Sequence, residues 1–105
     1  MGMYSHFSIA VEPWPSADDV WELECELNSL TCCAFDQDYD ENILVSCDEY
    51  KWRGYEEDMV TLSSRHPNLI FTLVRWTEDD EVNTLKLYDG KILSNERDLS
   101  RQQML

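Results

Sequence analysis

Residues 1–50 carry twelve carboxylates (Glu12, Asp18, Asp19, Glu22, Glu24, Glu26, Asp36, Asp38, Asp40, Glu41, Asp48 and Glu49) and no lysine or arginine. A compact fold cannot bury such a set, because an ionised carboxylate taken out of water without a partner costs more than a small domain can recover. This half of the chain must keep its acids outside and draw its interior from the few apolar positions between them. The spacing of those apolar positions is therefore the guide to the fold.

Between residues 3 and 11, Phe7, Ile9 and Val11 fall on one side while Tyr4, His6 and Ser8 fall on the other, the period of a half-buried strand. Pro13 and Pro15 end it. Ser16 is a favourable N-cap with Asp18 and Asp19 in the first turn behind it, so a helix is expected from about Ala17 to Leu30. Val20, Leu23, Leu27 and Leu30 make its inner stripe, and Asp18, Asp19, Glu22 and Glu26 its outer one. Trp21 and Cys25 lie beside the apolar stripe, which leaves Trp21 partly exposed among carboxylates.

Residues 31–35 and 43–47 are β-prone and flank the polar stretch 36–42, a pattern that predicts a hairpin with an acidic tip. Asp36, Asp38, Asp40 and Glu41 would lie on that tip, with Asp48 and Glu49 following the second strand. A second helix is expected from Gly54 and Tyr55 through about Arg65, with Glu56, Glu57 and Asp58 in its first turn and Pro67 stopping it. Residues 69–76 and 82–88 read as strands, and Asp89-Gly90 as a turn. After Ser94 the chain is polar, and a tail, frayed or helical, is expected from about residue 95.

The order strand, helix, strand, strand, helix, strand predicts one α+β domain over residues 1–105, ferredoxin-like βαββαβ with an extra C-terminal hairpin strand. Two helices would cover one sheet face and leave the other open.

The formal net charge is −14, from 22 acidic and 8 basic side chains, and all the basic ones lie after residue 50. The later half is nearly balanced. Concentrated like charge works against compaction, so a chain that keeps it gains solubility or uses the field to attract a basic partner. Direct binding to nucleic acid is disfavoured by the same charge.

Catalytic signatures do not stand out. Gly2, Gly54 and Gly90 are the only glycines, too scattered for a phosphate-binding loop. His6 and His66 sit at no ligand spacing from each other or from a cysteine, and no base, nucleophile and orienting trio is visible. Asp36-x-Asp38-x-Asp40 opens like a calcium loop, but Glu41 stands where that loop needs glycine and Cys47 where it needs a bidentate glutamate. No metal, cofactor or enzymatic activity is expected. Cys25, Cys32, Cys33 and Cys47 read as reduced thiols in or near the core, since no apolar leader or membrane-length run accompanies them. A cytoplasmic, non-membrane protein follows as the expectation.

Between Lys51 and Lys91, the residues Lys51-Trp52, Glu56-Glu57-Asp58-Met59, Leu62-Ser63, Pro67, Phe71-Thr72-Leu73 and Tyr88-Asp89-Gly90-Lys91 resemble the YubB-type ferredoxin-like proteins of phages and plasmids. The resemblance implies a ferredoxin-like domain of mobile-element origin and carries over no active-site residue. It covers about two fifths of the chain, and Val74-Arg75-Trp76-Thr77 departs from it where a glycine-rich acidic turn would stand.

Charge and resemblance together raise the expectation of a non-enzymatic acidic inhibitor that imitates nucleic acid and blocks a basic DNA- or RNA-binding channel of a host defence complex, of anti-CRISPR or anti-restriction type. Its partner-binding residues would be Asp18, Asp19, Glu22, Glu26, Asp36, Asp38, Asp40, Glu41, Asp48 and Glu49, with Trp21 as an aromatic anchor. That expectation requires the acids to form one continuous surface that Arg53, Arg65, Arg75 and Lys86 do not neutralise. The alternative is a general interaction module, such as an antitoxin or a complex subunit, that binds through the open sheet face.

Overall fold

A computed structural model describes residues 5–31, 34–38, 42–47, 49–52, 54–77 and 81–99. The elements run β1 (Ser5–Glu12), α1 (Ala17–Thr31), β2 (Phe35–Asp38), β3 (Ile43–Ser46), α2 (Tyr55–Arg65), β4 (Ile70–Thr77), β5 (Glu81–Tyr88) and β6 (Lys91–Leu99). All six strands join one antiparallel sheet in the order β2-β3-β1-β4-β5-β6.

Parity along the strands decides what is inside. Phe7, Ile9 and Val11 of β1 line up with Leu44 of β3 and with Phe71 and Leu73 of β4, and this face meets Val20, Leu23 and Leu27 of α1 and Met59 and Leu62 of α2. Both helices therefore cover one side of the sheet. Trp52 closes the core near the start of α2, its ring edge-on to Phe7 and Phe35 and its Nε1 donating to Asp58 Oδ2 at 2.7 Å.

The two ends of α1 carry local side-chain hydrogen bonds. Ser16 Oγ accepts the backbone N–H of Asp19 at 3.4 Å, a side-chain cap on α1. α1 runs one residue further than the apolar pattern suggested, to Thr31, whose Oγ1 donates to the Leu27 carbonyl at 2.7 Å. Asn28 Oδ1 then accepts the Phe35 N–H at 3.1 Å and fixes where β2 begins.

Two expectations are corrected here. The strand expected at 31–35 lies instead at Phe35–Asp38, so Asp36 and Asp38 belong to a paired strand and not to a loop tip. Residues 91–99 form a sixth strand where a polar tail from about residue 95 was expected, giving two strands beyond βαββαβ instead of one. A polar segment becomes a strand because β5 offers it an edge: pairing runs from Tyr88↔Lys91 to Glu81↔Leu99.

The β5–β6 turn is specified locally. Asp89 and Gly90 have φ of 51° and 74°, both in the left-handed region that a tight two-residue hairpin of this hand requires. The turn is also pinned to α2, since the Gly90 N–H donates to Ser63 Oγ at 3.0 Å. A β-carbon at Gly90 would sit 3.0 Å from Ser64 Cβ. Gly90→Ala should therefore destabilise the domain by more than about 1 kcal/mol, through both φ and crowding, as read by urea unfolding.

Candidate functional site

α1 presents its polar side away from the core, with Asp18, Asp19 and Glu22 all exposed. Trp21 is 64% exposed in their midst, the most exposed large apolar side chain described. Among the described residues no lysine or arginine bridges any of these three acids. The absence follows from composition, because every cation comes from the later half and few reach α1.

Glu26 differs from its stripe-mates. Its carboxylate lies 3.7 Å from Arg65 Nη1 and 3.2 Å from His66 Nε2, both at the C-terminal end of α2. It joins the two helices, and its charge is already matched within the chain. Glu24 is likewise engaged, accepting from Gln37 Nε2 at 3.1 Å and so tying α1 to β2.

Between the start of α1 and the end of α2 lies an open cleft of about 360 Å³. Asp19 and Glu22 supply carboxylates to it, Arg65 and His66 line the far side, and Pro13 and Leu69 give it apolar wall. The sequence offered no sign of this cleft, because residues more than forty positions apart form its two sides.

The remaining acids are placed elsewhere. Phe35 is buried under the helices, so strand parity turns Asp36 and Asp38 to the opposite, uncovered face, beside Val45 and Ile43 of β3. Asp36 Oδ2 accepts from the Cys47 thiol at 3.2 Å. Glu49 lies 3.7 Å from His6 Nε2, and His6 extends on the uncovered face. Asp40, Glu41 and Asp48 fall outside the described residues, as do Cys32, Cys33 and Arg53.

The sheet thus divides the acids: Asp18, Asp19 and Glu22 stand on the helical side, Asp36 and Asp38 on the other. Among the described residues, the acids expected on a single surface stand on two. Of the cations expected to intrude, Arg65 reaches Glu26, while Arg75 lies 5.4 Å from the centre of the Tyr55 ring. Cys25 and Cys47, expected in or near the core, are exposed.

The uncovered sheet face has a different character. Ala10, Val45, Val74 and Val82 are half-buried there, and Trp76 and Tyr88 are each 43% exposed. Trp52 and Tyr55 do not join this aromatic pair, being buried on the helix-covered side of the sheet. Among the described residues no group of three or more His, Cys, Asp or Glu side chains gathers to hold a metal ion, and no helix is long and apolar enough to cross a membrane. No family model, curated protein or solved structure matches the chain.

Proposed function

We propose that this chain is a non-enzymatic binding protein whose α1 carboxylates occupy a basic nucleic-acid-binding channel on a partner, an inhibitor of anti-CRISPR or anti-restriction type acting in the cytoplasm of the host cell. The observation that carries this reading is the unbridged set Asp18, Asp19 and Glu22 around an exposed Trp21. Arginine and lysine side chains that normally grip phosphates would pair with these carboxylates through charge-assisted hydrogen bonds. One helical turn advances ~5.4 Å, the same scale as the ~3.4 Å between charges on a DNA strand. Trp21 adds an apolar anchor of the kind that dominates protein interfaces.

A mobile-element origin is part of the same reading, supported by the resemblance over residues 51–91. The neighbours β2-β3-β1-β4 with α1 and α2 carry the interleaved connections of a split βαβ unit, which favours a ferredoxin-like ancestry extended by β5 and β6.

The test is a binding titration against purified CRISPR effector and restriction complexes stripped of nucleic acid. Affinity should fall steeply with rising salt, and duplex DNA should compete. Binding that ignores both salt and DNA, or no binding to any such complex, overturns the reading.

A second reading rests on Trp76 and Tyr88 on the uncovered sheet face. There the chain would act as an antitoxin-like or subunit module, with salt-insensitive binding that Trp76→Ser abolishes.

A further inference from the structure

The two edges of the sheet are unlike. β2 is four residues long and carries Asp36 and Asp38, so a second β2 approaching it would bring like charges together. β6 is nine residues long, and no described strand pairs with its outer edge. Its sequence balances two cations, Lys91 and Arg97, against two anions, Glu96 and Asp98. A long, net-neutral edge strand is a template for pairing unless charge, proline, a β-bulge or a covering element blocks it, and any strand that pairs with β6 must accommodate its bulge at Leu93.

The register within β6 makes this edge complementary to itself. Leu93 is an extra residue, set between the pairs Lys86↔Ser94 and Leu87↔Ile92. Counted in ladder steps from Ser94, Ile92 and Lys91 lie one and two steps toward the turn, while Asn95 and Glu96 lie one and two steps the other way. An antiparallel pair of β6 strands about a two-fold axis at Ser94 therefore sets Lys91 of one copy opposite Glu96 of the other, twice over. Both side chains are exposed and on the same face of the sheet.

Apolar surface sits where such a partner would come. Ile92 is 44% and Leu93 55% exposed, and Ile92 with Val60, Thr61 and the two carboxylates Glu56 and Glu57 lines a groove of about 380 Å³ beside α2. The net charge of −14 is the obvious objection, but the sheet order answers it. β2 and β6 are opposite edges, and α1 packs with β2, so the acidic half of each copy is held away from the axis.

We propose that β6 is a self-association edge, through which two copies of this chain pair antiparallel about Ser94 to form one continuous sheet. An isologous contact of this kind is closed and yields a dimer, not a fibre.

Sedimentation equilibrium of the full chain at high micromolar concentration tests it, with circular dichroism confirming that each variant is folded. The wild type should approach twice the 12.4 kDa chain mass. Lys91→Glu and Glu96→Lys should each shift the equilibrium to monomer by about tenfold or more, and the double exchange should restore the dimer, since it rebuilds both pairs. Ser94→Cys should form a 94–94 disulfide under mild oxidation, located by peptide mapping, ahead of links through the natural cysteines. A wild-type monomer at every concentration, or a dimer that both single exchanges leave intact and that never yields the 94–94 link, overturns the proposal.

Discussion

Phe7→Ala should lower the unfolding free energy by about 3–5 kcal/mol, the cost of removing a buried aromatic ring and leaving its cavity. Phe7 is fully buried at the centre of the sheet, where β1 is flanked by β3 and β4. Its ring meets Trp52 at 5.1 Å and Tyr55 at 6.1 Å between centroids, so truncation removes aromatic contact as well as apolar area. Domains of this size are stable by about 5–15 kcal/mol, and the variant should have a sharply lower urea midpoint or fail to fold. Trp21→Ala provides the contrast. That ring is 64% exposed, and its loss should change stability by about 0.5 kcal/mol or less. Equal losses for the two variants would mean that the aromatic cluster around Trp52 does not organise the core.

Neutralising α1 should weaken partner binding without weakening the fold. Asp18→Asn, Asp19→Asn and Glu22→Gln combined should reduce affinity for a basic nucleic-acid-binding partner by at least about tenfold, because each charge-assisted bond contributes roughly 1.5–3 kcal/mol where it is made. The salt dependence should flatten in parallel, since fewer charges are exchanged at the interface. Asp36→Asn is the control on the opposite face of the sheet: it removes one charge there, against three on α1, and should leave affinity unchanged, whereas Asp19→Asn alone should lower it. Calorimetric titration of these variants, with urea midpoints to confirm folding, distinguishes the faces. If Asp36→Asn were the damaging change, the interface would lie on the uncovered sheet face with Trp76 and Tyr88.

Glu26 shows why the outer stripe of a helix is not yet a binding surface. By spacing it belongs with Asp18, Asp19 and Glu22, and nothing within α1 sets it apart. In the fold it meets Arg65 and His66, which come from the far end of α2. Its removal should act on the α1–α2 contact before it acts on any partner.

Much of the architecture was legible from local pattern. The apolar period of 17–30 gave α1 its inner stripe, the acids and basic end of 55–65 gave α2 its direction, and the alternation in 3–11 identified which side of β1 is buried. These are properties of neighbours along the chain, set by backbone geometry and by the exclusion of carboxylates from the core. The left-handed turn at Asp89-Gly90 belongs to the same class.

What the tertiary structure alone decided was partnership across distance. β6 has no apolar alternation to announce it and exists because β5 presents an unpaired edge. β2 lies at Phe35–Asp38, with the Phe35 N–H held by Asn28 Oδ1, and its pairing with β3 turns Asp36 and Asp38 to the other side of the sheet from buried Phe35. A one-residue change of strand register exchanges the two faces, so the allocation of charge between them depends on long-range pairing and not on the spacing of the acids. Composition settled that this half of the molecule must be acidic outside; only the sheet settled which acids stand together.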